Sequence, residues 1–132
     1  IRPIREGRMR TRWAIFGTLI AVGIVVWLAM NPPRPLLNVL KRVDPSPETG
    51  ARLVERYGCR RCHRIGDSGG ILAPDLNGIT RRVGDPAMVS LRLWLRDPQA
   101  VKPGTAMPNF HLSDSEIEAI LAYLQALDAR RP

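Results

Sequence analysis

The sequence predicts an all-α protein, with one apolar helix long enough to cross a bilayer ahead of a single small helical domain. Three observations predict it. Residues 13–30 form an apolar run without a charge. Helix-start signals recur at Ser46-Pro47, Asp85-Pro86 and Ser113-x-x-Glu116. No stretch reads convincingly as a strand, and no internal repeat is visible. At 132 residues, one domain is the default.

Residues 1–12, "IRPIREGRMRTR", hold five Arg and one Glu. The run "WAIFGTLIAVGIVVWLAM", Trp13 to Met30, follows with 18 residues. As a helix it rises about 27 Å, close to the ~30 Å hydrocarbon core of a bilayer. Trp13 and Trp27 lie near its ends, where aromatic rings favour the interface. A cleaved signal peptide is the rival reading. Its apolar region is shorter, about 7–15 residues, and ends at small residues, whereas this run ends "LAMNPPRP". A buried helix of a soluble core would need more chain to wrap it than remains. The run therefore reads as a single-pass transmembrane helix, and its basic flank puts residues 1–12 in the cytoplasm. The rest is expected on the periplasmic face of a bacterial inner membrane.

Residues 31–45 carry Pro at 32, 33, 35 and 45 and read as a semi-rigid Pro-rich linker. Its apolar centre is Leu36, Leu37, Val39 and Leu40. Two readings stay open for it: contact with lipid or a partner subunit, or packing against its own domain.

Residues 46–132 form the domain. Ser46 caps a first helix with Pro47 at its first position; it runs to about Tyr57, and Gly58 can end it. Asp85-Pro86 starts a second, with Met88, Leu91, Trp94 and Leu95 on one face. Ser113 and Glu116 form a capping box for a third, with an apolar stripe of Ile117, Ile120, Leu121, Leu124 and Leu127. Long loops cover 64–84 and 97–112. Three helices and two long loops leave a thin core, and a domain this small is marginal without a staple. Something apolar should fill the middle.

Residues 58–63, "GCRRCH", hold the two cysteines of the chain. C-x-x-C-H is the haem c attachment signature. Cys59 and Cys62 would add across the two haem vinyl groups, and His63 would ligate the iron. A tetrahedral zinc site needs four ligands. His111 is the other histidine, so a Cys₂His₂ set is arithmetically possible, but the paired H-x₃₋₅-H is missing. A dithiol redox pair wants a βαβ context, which is absent. One covalent haem c also supplies the apolar body that the thin core lacks. The net charge of +8 suggests an anionic partner surface or a membrane face, and no nucleic acid is expected. No cluster of carboxylates and no Ser/His/Asp set suggests catalysis.

Four segments in order carry a family resemblance: "PETGARLVERYGCRRCH", "APDLNGI", "WLRDPQAVKPGTAMPNFHLSD" and "EIEAILAYLQAL". Over most of residues 47–128 the chain resembles the class I c-type cytochromes. The resemblance implies the class I cytochrome c fold around one covalent haem, here preceded by a single transmembrane helix. It implies thioethers at Cys59 and Cys62, His63 as proximal ligand, and Met107 as the distal ligand. Pro74 matches the proline whose carbonyl accepts the Nδ1 proton of the haem histidine, a bond that fixes the tautomer. Gly50 and Val54 match first-helix positions that pack on the last helix, near Leu121 and Leu124; many relatives have an aromatic where Val54 stands. Met88 reads as core. His111, four residues past Met107, is either a replacement ligand or a hydrogen-bonded loop histidine. Trp94 reads as a wall of the haem pocket, with an indole bond to a propionate as the alternative. Arg60, Arg61, Arg64, Arg81 and Arg82 read either as a solvated face or as a ring steering an acidic redox partner.

A His/Met iron has no open position for substrate and a raised potential. The implied function is one-electron transfer, not catalysis. Anchored mono-haem cytochromes with a "KPGTxMPNF" loop resemble electron-transfer subunits of respiratory or photosynthetic membrane complexes. Examples are the small subunit of nitric oxide reductase, the cytochrome domain of a haem-copper oxidase and the mono-haem subunit of alternative complex III. Integral-membrane oxidoreductase subunits are then the expected partners. A tethered electron shuttle is the alternative; a haem sensor or peroxidase-like enzyme would need Met107 to leave the iron.

Overall fold

A computed structural model describes residues 4–130; residues 1–3 of the basic flank and 131–132 of the domain lie outside the described residues. The chain divides into two units between Pro33 and Arg34. The first is α1 (Ile4–Met30), 27 residues and about 40 Å long. It begins ahead of the apolar run, so the arginine-rich flank continues the same helix. Met9–Met30 is long and apolar enough to cross a membrane, and none of it is buried against protein. Within it the Thr18 hydroxyl donates to the Ala14 carbonyl at 3.0 Å, so this polar group needs no water in the hydrocarbon.

The second unit holds α2 (Arg34–Leu40), α3 (Pro47–Arg56), a 3₁₀ turn at Cys59–Arg61, β1 (Arg64–Ile65), β2 (Ser68–Gly69), α4 (Ile79–Arg82), α5 (Val89–Arg96), α6 (Pro98–Val101) and α7 (Asp114–Ala129). It is mostly helical, as expected. The centre is the crossing of α3 and α7. Ser46 accepts from the Thr49 N–H at 3.3 Å and starts α3. Both halves of the α7 capping box form: the Glu116 N–H reaches the Ser113 hydroxyl at 3.1 Å and the Ser113 N–H reaches the Glu116 carboxylate at 2.9 Å. Where the helices cross, Gly50 lies against Ala119 so closely that a Cβ there would stand 1.9 Å from the Ala119 carbonyl oxygen. Leu53, Val54, Ile65, Leu112, Ile117 and Leu121 are buried around that crossing, and Met88 joins them.

Four features depart from the sequence reading. The segment read as a linker is helical from Arg34, and the compact unit begins there, not at Ser46. Arg34 donates to the Leu112 carbonyl at 2.7 Å and to the Asp114 carboxylate. Asn38 and Asp114 exchange two further hydrogen bonds, at 2.6 and 2.8 Å. Of the two readings of its apolar centre, Leu37 alone packs inward; Leu36, Val39 and Leu40 stay exposed. Next, the loop after His63 opens with a small antiparallel hairpin, Arg64 opposite Gly69 and Ile65 opposite Ser68. Its two-residue turn starts at Gly66 with φ 71°, where glycine carries no penalty. Third, α5 starts at Val89, not at Pro86. Residues 85–88 form a turn closed by Met88 N–H to Asp85 carbonyl at 2.8 Å, and Met88 has φ 52°. Asp85 still caps, but from further back, accepting from the Ser90 N–H at 2.9 Å. Last, the long loops contain the short helices α4 and α6.

Candidate functional site

A cavity of about 310 Å³ opens between α5, α7 and the loops carrying Pro74 and Met107. Its walls are Leu72, Leu76, Ile79, Leu91, Leu95, Leu121 and Leu124, and His63, Trp94 and Met107 complete it. Each of the last three is positioned by identifiable local structure.

Gly58 has φ 66°, which ends α3 and turns the chain straight into the 3₁₀ turn. The Cys62 and His63 N–H groups both return to the Cys59 carbonyl, at 3.3 and 3.0 Å. Two thiols and an imidazole are thereby held within one tight turn. Cys59 is half-buried and Cys62 exposed, both as free thiols. Burial pushes the Cys59 thiol pKa up.

The His63 Nδ1 lies 2.8 Å from the Pro74 carbonyl oxygen. A carbonyl can only accept, so Nδ1 carries a proton, and Nε2 is the ring nitrogen left to face a metal. The Pro74 loop is itself tied down. Ala73 N–H donates to the Cys62 carbonyl at 3.0 Å and Leu76 N–H to the Arg64 carbonyl at 2.9 Å. The Asn77 side chain clasps both backbone groups of Gly66, at 2.8 and 3.0 Å. Sequence reasoning passed over Asn77; the signal for it was an Asn-Gly pair inside a loop, a mark of turn structure.

Met107 is presented by the turn after α6. Gln99 braces that turn, donating to the Thr105 carbonyl at 2.7 Å and accepting from the Gly104 N–H at 3.0 Å. Trp94 forms a wall, and its indole N–H points at the Met107 sulfur at 3.0 Å. His111 does not line the cavity. Its N–H donates to the Asn109 side chain at 2.9 Å and its carbonyl accepts from Lys41 at 3.0 Å.

Asp128, buried on α7, fixes α4 and with it the Ile79 wall. Its carboxylate accepts from the Gly78 N–H at 2.7 Å, the Thr80 N–H at 3.0 Å and the Thr80 hydroxyl at 2.7 Å. A second network ties α3 to α7: the Tyr57 hydroxyl donates to Glu116 at 2.7 Å, and burial first, then this bond, pushes the phenol pKa well up.

One arginine corrects the sequence reading. Arg60, within the Cys-x-x-Cys turn, is held by the fold and is not a freely solvated arginine. It pairs with Glu55, donates to the Ile65 carbonyl, and reaches the Ser68 hydroxyl at 3.1 Å and the Tyr123 hydroxyl at 2.8 Å. Arg82 donates to the Asp75 carbonyl. Arg61 and Arg64 are exposed.

Among the described residues no group of three or more His, Cys, Asp or Glu is arranged to hold a bare metal ion. The donor set does fit a haem. One imidazole, bonded through Nδ1 and so presenting Nε2, and one thioether line the same apolar cavity, and both are ligands that haem iron takes. The leucine-rich wall suits the macrocycle, and the paired thiols stand next to the imidazole in the chain.

The family model described as cytochrome c matches residues 47–128. The chain is 31% identical over 84 residues to the cytochrome c oxidase subunit 2 of Alkalihalophilus pseudofirmus, covering 59% of this chain and 25% of that protein. It is 30% identical over 89 residues to the C subunit of the nitric oxide reductase of Paracoccus denitrificans, covering 63% and 59%. It is also 30% identical over 92 residues to the cytochrome c oxidase subunit 2 of Bacillus subtilis, covering 61% and 26%. The chain thus spans between a quarter and three-fifths of the length of these relatives.

Proposed function

The chain belongs to the cytochrome c family, and on that premise we propose that it is the membrane-anchored electron-transfer subunit of an oxidoreductase complex, with its haem domain on the periplasmic face of a bacterial inner membrane. Family membership brings covalent haem c and electron transfer. The relatives are by name components of larger enzymes, one a nitric oxide reductase and two cytochrome c oxidases, which supports a place within a complex. The arginine-rich flank ahead of the apolar run supports a cytoplasmic N-terminus.

Haem c, once bound, supplies a one-electron ferric/ferrous couple. Cys59 and Cys62 would hold it through thioethers, and His63 and Met107, which line the same cavity, would ligate its iron. The Pro74 carbonyl, by accepting the Nδ1 proton, keeps Nε2 as the donor atom and raises the basicity of the ring. Trp94 restrains the Met107 sulfur, and the leucine walls exclude water. With His63 and Met107 both ligating the iron, no coordination position would be left for substrate, and the protein would pass electrons and leave chemistry to its partners.

The observation that carries this reading is that His63 and Met107 line one apolar cavity beside the Cys-x-x-Cys turn. The test is purification of the tagged full chain from gently solubilised membranes. The expected result is fixed-stoichiometry co-purification with integral-membrane oxidoreductase subunits, and a reduced holoprotein that does not bind carbon monoxide at neutral pH. A chain recovered alone would make it a tethered shuttle, and carbon monoxide binding would overturn the axial pair.

A further inference from the structure

Helix α2 turns its apolar stripe the wrong way for a surface helix. At 100° per residue, Leu36, Val39 and Leu40 share an arc of about 100°, and they are 43%, 76% and 71% exposed. A surface helix ordinarily lays such an i, i+3, i+4 stripe on the core. Here the other side of α2 is already committed: Leu37 is buried, and Arg34 and Asn38 are bonded to Leu112 and Asp114. Those bonds prevent the helix from rolling its stripe inward.

The chain itself says what covers the stripe. Three residues, 31–33, separate the end of α1 from the start of α2. Four Cα steps of 3.8 Å reach at most about 15 Å, and the headgroup layer on each side of a bilayer is roughly 5–8 Å thick. The start of α2 is therefore tethered within about 15 Å of the end of the span, in or close to the headgroup layer. Three side chains are also far too few for a protein interface, which takes about 800 Å² from each partner, but they suit a short helix lying at the boundary of headgroups and acyl chains.

We propose that α2 is an interfacial membrane helix, with Leu36, Val39 and Leu40 seated at the acyl-chain boundary and the haem domain held by its opposite side. α2 is clamped to the start of α7, so a seated stripe gives the compact unit a lipid contact of its own. The inference stands apart from the identity of any oxidoreductase partner.

The test uses the full-length holoprotein in nanodiscs of phospholipid alone, where the Cys59 and Cys62 thiols are consumed as thioethers, a state checked first by thiol titration. Nitroxide labels are placed at Val39→Cys, at Leu40→Cys and, as a control, at Gln125→Cys on the exposed side of α7. Collision with oxygen, which concentrates in lipid, is compared with collision with a water-soluble nickel chelate. The expected result is that labels at 39 and 40 favour oxygen and are shielded severalfold from nickel, while the label at 125 shows the reverse. Labels at 39 and 40 as open to nickel as the one at 125 would overturn the proposal. Labels open in nanodiscs but shielded in native membranes would also overturn it, and would assign the stripe to a protein partner.

Discussion

Substituting Gly50 by Ala pits two effects of opposite sign against each other. In a helix interior, Gly→Ala normally stabilises by about 1 kcal/mol, because alanine has less backbone freedom to lose. At this position the new Cβ would stand 1.9 Å from the Ala119 carbonyl oxygen and 2.7 Å from the Tyr123 Cβ. Neither is the far end of a flexible side chain. Restoring an ordinary contact of about 3.4 Å means separating α3 from α7 by roughly 1.5 Å. Leu53, Val54 and Leu121, all buried at that crossing, would then lose contact on one side. A radial gap of even 0.5–1 Å forfeits about a quarter to a half of each contact's attraction, and overpacking alone costs about 1–3 kcal/mol. The clash exceeds the propensity gain, and the net expectation is a loss of about 1–2 kcal/mol. For a unit of this size that is a fall in Tm of roughly 5–15 °C. The assay is thermal unfolding of the full-length holoprotein in detergent, followed by circular dichroism and by haem absorbance. A Tm equal to or above that of the native chain would refute the close approach, and with it the account of how α7 is held against the cavity.

Four other substitutions probe the site and its supports. Met107→Ala should remove the sulfur-to-iron charge-transfer band of the ferric protein, lower the potential and admit carbon monoxide, whereas His111→Ala should do none of these; reversed results would make His111 the ligand. Trp94→Phe removes the donor at the Met107 sulfur, a bond of about 1 kcal/mol, so imidazole should displace Met107 at about one-fifth of the native concentration; an unchanged titration would show that the indole bond does not restrain the thioether. Asp114, which clamps α2, has its carboxyl pKa held down, first by the Asn38 side chain and then by Arg34 and Arg96. Because the folded pKa is depressed, its contribution is full above the ordinary value of 3.8 and is lost as pH falls through the lower folded value. The pair is half-exposed, so the effect is small, but α2 amide exchange, corrected for intrinsic rate, should accelerate in acid in the native chain and stay pH-independent in Asp114→Asn.

What the sequence made legible was chemistry with strict local spacing. The Cys59, Cys62 and His63 turn, the Ser46 cap and the Ser113/Glu116 capping box each depend on residues within five positions of one another, so pattern alone reveals them. The membrane span was legible for a different reason: its length and lack of charge match a solvent, not a partner. What escaped depends on partners far along the chain. Nothing in "NPPRPLLNVL" announces that Arg34 and Asn38 will meet Asp114, some 76–80 residues later. Asp85-Pro86 opens a turn as readily as a helix, and Met88 in a left-handed conformation decided the matter here. Arg60 looked like one more surface charge because composition cannot say which arginines find carbonyls and a tyrosine to bond.

The bonds of Arg60 give the two residues between the cysteines different freedom to vary. Position 61 is exposed and can drift in charge as partners drift, whereas position 60 is spoken for by α3, the hairpin and α7 together. A lineage retuning its electrostatics toward a new redox partner would therefore change Arg61 or Arg64 and leave Arg60 alone. By the same token, reversing the charge at 60 would test first whether the attachment turn still forms, and any change in salt dependence would mix that effect with docking.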